Sequence, residues 1–157
     1  MIHFITEAKY FYISLLFIVL FGAYLRFIDY ASVPPFQDTA DEFVYPLAGL
    51  SWIQTGTPIG WANTDVYQSS KKIDIWGTWY RLVKPWFEKP PLFTLLSGGF
   101  MHLTGAKNFT DLRLETMRLV PIFLGLLTIF LIGMIGKKIG GVVVGLLGAI
   151  IYATDPF

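Results

Sequence analysis

The sequence predicts an all-α, multi-pass membrane protein whose long extracytoplasmic first loop carries interfacial, juxtamembrane helices. Three observations predict it. The chain is 54% hydrophobic and 17% aromatic with 15% charged residues, whereas soluble domains carry roughly 45–50% apolar and about 25% charged residues. The apolar residues lie in long blocks rather than in the short alternations of a soluble core. The loop over residues 29–91 holds all five tryptophans, Trp52, Trp61, Trp76, Trp79 and Trp86, a residue that gathers at bilayer interfaces because its ring is apolar while its N–H needs a partner.

Composition also excludes. With no cysteine there are no disulfides and no thiolate metal sites. A net charge of +1 without a polybasic arm gives no basis for a nucleic-acid partner.

The first apolar run, about residues 11–28, is long enough to cross a bilayer. Arg26 and Asp29 stand where a signal peptide would carry small residues, so an uncleaved anchor is expected. Lys9 ahead of it favours a cytoplasmic N-terminus, which puts the loop on the far side. Within the loop, Val44, Leu47, Leu50, Trp52 and Ile53 recur at helical spacing until Gly56, as in an amphipathic helix lying in the interface. Pro46 suits only a first turn, so that helix is expected to begin near Tyr45, leaving Asp41 and Glu42 in the loop ahead. Residues 57–83 predict turns and one short helix around Trp76 to Val83.

Three further spans are expected, at about 90–106, 117–136 and 141–157, making four crossings within one transmembrane domain. Strict alternation then separates Lys107, Arg113 and Arg118 from Lys137-Lys138 across the bilayer, against the positive-inside rule; a half-spanning segment at 92–105 would remove the conflict. The last run ends on Asp155-Pro156-Phe157 without a polar tail, so the chain is expected to be the N-terminal part of a longer protein.

Two stretches carry candidate chemistry. Asp38, Asp41 and Glu42 put three carboxylates into five residues beside the membrane surface. They can cap a helix start, or one can act as a general base. Glu88-Lys89-Pro90-Pro91 can be a charged anchor with prolines at a helix start. It can also be a rigid mount that aims Lys89 at a phosphate and Glu88 at a divalent cation. His102 is assigned to packing at its helix end, Arg113 and Arg118 to interfacial snorkelling, and the glycines from Gly136 to Gly148 to close helix packing.

The order of these features resembles the N-terminal part of a class C glycosyltransferase. A helix ending in Leu25-Arg26-Phe27 is followed by Asp41-Glu42 with Tyr45 and Ala48, then Thr55-Gly56-Thr57-Pro58 and Glu88-Lys89-Pro90-Pro91-Leu92. Arg118-Leu119-Val120-Pro121 and Ala153-Thr154-Asp155-Pro156 complete the series. It is similar in particular to the family of dolichyl-phosphate-mannose protein mannosyltransferases and the lipid A aminoarabinose transferase, over nearly all the chain except residues 57–83.

That resemblance implies an integral, multi-pass enzyme of the cell membrane. Such an enzyme moves a sugar from a polyprenyl-phosphate donor to a glycan, lipid or protein acceptor on the extracytoplasmic side, usually with inversion. It implies Asp41 as the essential acid with Glu42 beside it, Lys89 on the lipid phosphate, and Glu88 in the site at a divalent metal ion. Pro46 interrupts the pattern, and Lys89 stands where many relatives carry His. Alone, this chain is expected to lack activity. The rival reading is a non-enzymatic membrane protein, a transporter segment or assembly subunit, which predicts ionisable residues inside the spans; almost none are present.

Overall fold

The computed structural model describes residues 2–35, 41–62, 66–67, 70–75 and 77–155. It is mostly helical and divides into two compact units, residues 1–30 with 121–157 and residues 31–120.

Unit 1 is built from α1 (Ile2–Phe27) and all but the first two residues of α5 (Leu119–Thr154). Both α1 and α5 are long and apolar enough to cross a membrane. α5 is broken at Gly141, whose φ of 88° belongs to the left-handed region that glycine enters without cost. The break folds α5 into two arms, 119–140 and 142–154. A side chain at Gly136 would stand 2.8 Å from the Gly145 backbone, so the arms touch main chain to main chain, as the glycine pattern predicted. Leu15 lies against Gly133 and Arg26 against Gly125, so α1 runs antiparallel to the first arm. Phe11, Leu15, Ile129, Ala149 and Ala153 form the shared core. At one end, Arg26 donates to the carbonyls of Tyr152 and Ala153, both at 3.0 Å, closing the C-terminal end of the second arm. At the other, the Lys137 ammonium sits 4.1 Å from the Phe11 ring centre and 4.6 Å from that of Tyr12.

Unit 2 corrects the all-α expectation. It contains a three-stranded antiparallel sheet of order β1-β3-β2, with β1 at Gly60–Trp61, β2 at Ser70–Ile75 and β3 at Thr78–Val83. Where a short helix was expected around Trp76 to Val83, Trp76 lies outside the described residues and Thr78–Val83 is instead β3. Its Thr-Trp-Tyr-Arg-Leu-Val run is rich in β-branched and aromatic residues. Pairing of Ile75 with Thr78 closes the hairpin over two residues, and Gly77 at φ 84° supplies the turn, its N–H bonded to Asp74 Oδ1 at 2.7 Å.

α2 (Asp41–Thr55) begins earlier than Pro46 suggested. The proline removes only the bond to the Glu42 carbonyl, and the first turn stays helical because Phe43 and Val44 are buried in two different clusters. Gly56, at φ 72°, ends the helix with its N–H on the Trp52 carbonyl at 2.8 Å, an αL cap. The apolar face of α2 is covered by protein. α3 (Pro91–Leu103) crosses it so closely that a side chain on Gly49 or Gly98 would collide with the other helix's backbone. At 13 residues, α3 is about 20 Å long, short of the roughly 30 Å hydrocarbon core. A 3-10 turn (Phe109–Asp111) and α4 (Leu114–Met117) lead into α5. Met101, Ala106, Leu112 and Met117 complete a core with Phe43 and Leu50.

The tryptophans divide. Trp86 is buried and donates its indole N–H to the Trp61 carbonyl at 3.1 Å, while Trp79 is 69% exposed. Part of the aromatic loop is thus the interior of a folded unit, not a membrane-facing belt.

Candidate functional site

The N-terminus of α2 carries Asp41 and Glu42 in its first turn, where the unsatisfied N–H groups and the helix dipole favour negative charge. Asp41 is exposed and Glu42 half-buried. Asp38, read as a third acid of this group, lies outside the described residues.

Glu42 is held by a residue that sequence reasoning assigned to snorkelling. Arg118 Nη2 lies 2.9 Å from Glu42 Oε2, and Nε lies 3.2 Å from Oε1. The same guanidinium donates to the carbonyls of Val33 at 3.2 Å and Pro34 at 2.6 Å. The Arg118 side chain is 8% exposed and that of Glu42 25%. Such a fork suits arginine because its planar donors meet two oxygens of a carboxylate and still reach further acceptors. Arg118 therefore joins the loop after α1, the acidic turn of α2 and the start of α5. The Arg118-Leu119-Val120-Pro121 pattern was the signal available, but nothing in it names a partner 76 residues away.

The second motif reaches α2 one turn further on. Tyr45, four residues after Asp41, packs edge-on against Trp86, with ring centres 6.2 Å apart, and against Phe93 at 5.2 Å. These two rings bracket Phe87-Glu88-Lys89-Pro90-Pro91-Leu92, and Phe87 stands edge-on to Trp52 at 5.7 Å. Pro90 is extended and Pro91 opens α3, fixing the chain direction where Glu88 and Lys89 leave it. Both are exposed. The structure thus brings the two motifs onto one unit, yet the ion pair Glu42 makes is with Arg118, not with Lys89.

No family model, curated protein or solved structure matches the chain. The site is read from its own residues.

Glu42 already has both oxygens on Arg118, and among the described residues no three Asp, Glu or His side chains gather as a cation would need. The available chemistry is an exposed carboxylate at Asp41, a clamped one at Glu42, and a cation at Lys89. His102 is exposed in the last turn of α3, away from the core that packing would give it.

Proposed function

We propose that this chain serves a membrane glycosyltransferase that passes a sugar from a polyprenyl-phosphate donor to an acceptor hydroxyl, with Asp41 as general base. The observation that carries the reading is the Arg118 clasp on Glu42 and on the Val33 and Pro34 carbonyls. It holds the acidic turn in place while leaving Asp41 exposed, on the same unit as Lys89. In the reaction the acceptor oxygen bonds to the anomeric carbon as its proton passes to the Asp41 carboxylate. The bond from that carbon to the phosphate oxygen breaks, and the lipid phosphate leaves with the electron pair, its charge met by Lys89. Attack opposite the leaving group inverts the anomeric centre. Glu42 is a positioning residue.

The same proposal places α1 and both arms of α5 in the membrane and takes α3 out of it. Lys9, Lys137 and Lys138 then share the cytoplasmic side, as the positive-inside rule favours. The chain leaves unit 1 after Tyr30 and re-enters it at Pro121, both at the Arg26 end, so residues 31–120 lie extracytoplasmically, beside a donor whose phosphate is anchored at the surface by its tail. Lys107, Arg113 and Arg118 lie on the far side with residues 31–120, a stretch long enough to be translocated largely regardless of its charge.

Asp41→Asn tests the chemistry in the full-length protein reconstituted in liposomes with a labelled polyprenyl-phosphate sugar. Transfer is expected to fall by about 10²- to 10⁴-fold, the usual worth of a general base. Transfer within threefold of wild type removes Asp41 from the mechanism, and wild type that transfers nothing returns the non-enzymatic reading. Because the chain has no cysteine, single Lys89→Cys and Lys138→Cys variants test the sidedness. An impermeant thiol reagent should label the first from outside and the second only after lysis.

A further inference from the structure

The end of unit 1 away from Arg26 is basic and grooved. Lys9 on α1 and Lys137 and Lys138 near the end of the first arm of α5 belong to it. Between the start of α1 and the second arm of α5 runs a groove of about 380 Å³ lined by Tyr10, Phe11, Ser14, Val142 and Leu146. Phe11 both lines this groove and carries the Lys137 ammonium over its ring. Gly140 and Gly141 precede Val142 at the break between the arms, and the space where a side chain would stand on Gly141 is open. Lys138 is exposed beside them.

We propose that this groove is a docking site for an anionic phospholipid, with an acyl chain along its apolar wall and the phosphate headgroup against Lys137 and Lys138. Charge complementarity selects this occupant: an apolar slot ending in ammonium groups matches a chain ending in a phosphate. Lys137 is held by its two aromatic rings, so the cation is in place before the headgroup arrives, and little side-chain freedom is lost on binding. Each lysine at such a surface is worth roughly a fivefold change in anionic-lipid affinity. The inference rests on the membrane crossing of unit 1 and not on glycosyl transfer.

The experiment uses the full chain, purified in mild detergent after exchange into an equal mixture of phosphatidylglycerol and phosphatidylcholine. Retained lipid is counted by native mass spectrometry. Wild type is expected to keep one phosphatidylglycerol in preference to phosphatidylcholine by roughly 10- to 30-fold. The K137Q/K138Q variant should lose that preference, and Val142→Trp, which fills the groove but keeps the charges, should lose the bound lipid. K71Q/K72Q removes the same charge from β2 and should change nothing. Equal retention of the two lipids by wild type, unchanged preference in K137Q/K138Q, or an equal loss in K71Q/K72Q each overturns the proposal. Capture of a second copy in place of lipid does so too. Carbonate extraction of the same membranes keeps the two readings apart: release of the protein refutes the crossing itself, whereas retention with no lipid preference refutes only the docking site.

Discussion

Arg26 in unit 1 and Arg118 in unit 2 both stand beside helix ends and both donate to backbone carbonyls, but they organise different things. Arg26 meets the carbonyls of Tyr152, Ala153 and Asp155, the negative end of a helix dipole, and so closes a bundle of apolar helices. Arg118 meets two loop carbonyls and also the carboxylate of Glu42, and so fixes the geometry of an acidic turn. An arginine beside the end of a long apolar helix is thus read by its acceptors. Carbonyls alone make it a cap, whereas an added carboxylate makes it the keystone of a site.

The sharpest way to break this comparison is Arg118→Ala. It leaves Glu42 partly buried without its cation and strips two carbonyls, and should destabilise the full chain by about 3 kcal/mol, measured by thermal unfolding in detergent. Adding Glu42→Gln to Arg118→Ala should cost less than the sum of the single changes, by about 1–2 kcal/mol. Strict additivity would show that the pair is not coupled.

Gly98→Ala comes next. The new methyl meets the backbone of Gly49 and Leu50, so α2 and α3 must separate, at about 2–3 kcal/mol. Its neighbour is the control: a side chain on Gly99 stands 3.7 Å from Ile53, ordinary contact, and Gly99→Ala should be near neutral. Equal effects would deny the close crossing.

Arg26→Met should cost less, about 1–2 kcal/mol, because helix-end carbonyls can find water. Its signature is faster amide exchange confined to the last turn of the second arm, with the acidic turn of unit 2 unchanged.

The smallest effect concerns Asp111. The backbone N–H groups of Lys107 and Asn108, each 2.9 Å from Oδ2, hold its carboxyl below the usual carboxylate range. A lowered folded pKa means the ionised form favours folding. That contribution is present above the ordinary value near pH 4 and is lost as pH falls through the lowered one. Asp111→Asn should flatten this acid limb of a stability-against-pH curve by slightly lowering the neutral plateau while leaving the acid end nearly in place; an unchanged limb would assign the acid sensitivity elsewhere.

Part of the site was legible in the chain. Clustered acids after an apolar run, and Glu88-Lys89 before a Pro-Pro helix start, pointed to α2 and α3, and Tyr45 does touch the rings that bracket the second motif. Arg118 was visible as a residue but not as a partner, because a contact 76 positions away leaves no local period. The sheet was missed for a different reason. Its alternation is short and aromatic on both faces, and Gly77, which turns the chain between β2 and β3, fell inside the short helix expected there.

What the sequence by itself determined is what nearest neighbours determine. Long apolar runs made α1 and α5 long enough to cross a membrane, Gly141 and Gly56 ended helices by a conformation other residues avoid, and Pro91 opened another. Only the tertiary structure decided that α3 lies on α2, that β3 is a strand, and that Glu42 belongs to Arg118. Each of those depends on which surfaces meet after the chain has folded back. Burial, glycine-to-backbone clearance and donor geometry then select one pairing among many that the same local pattern allows.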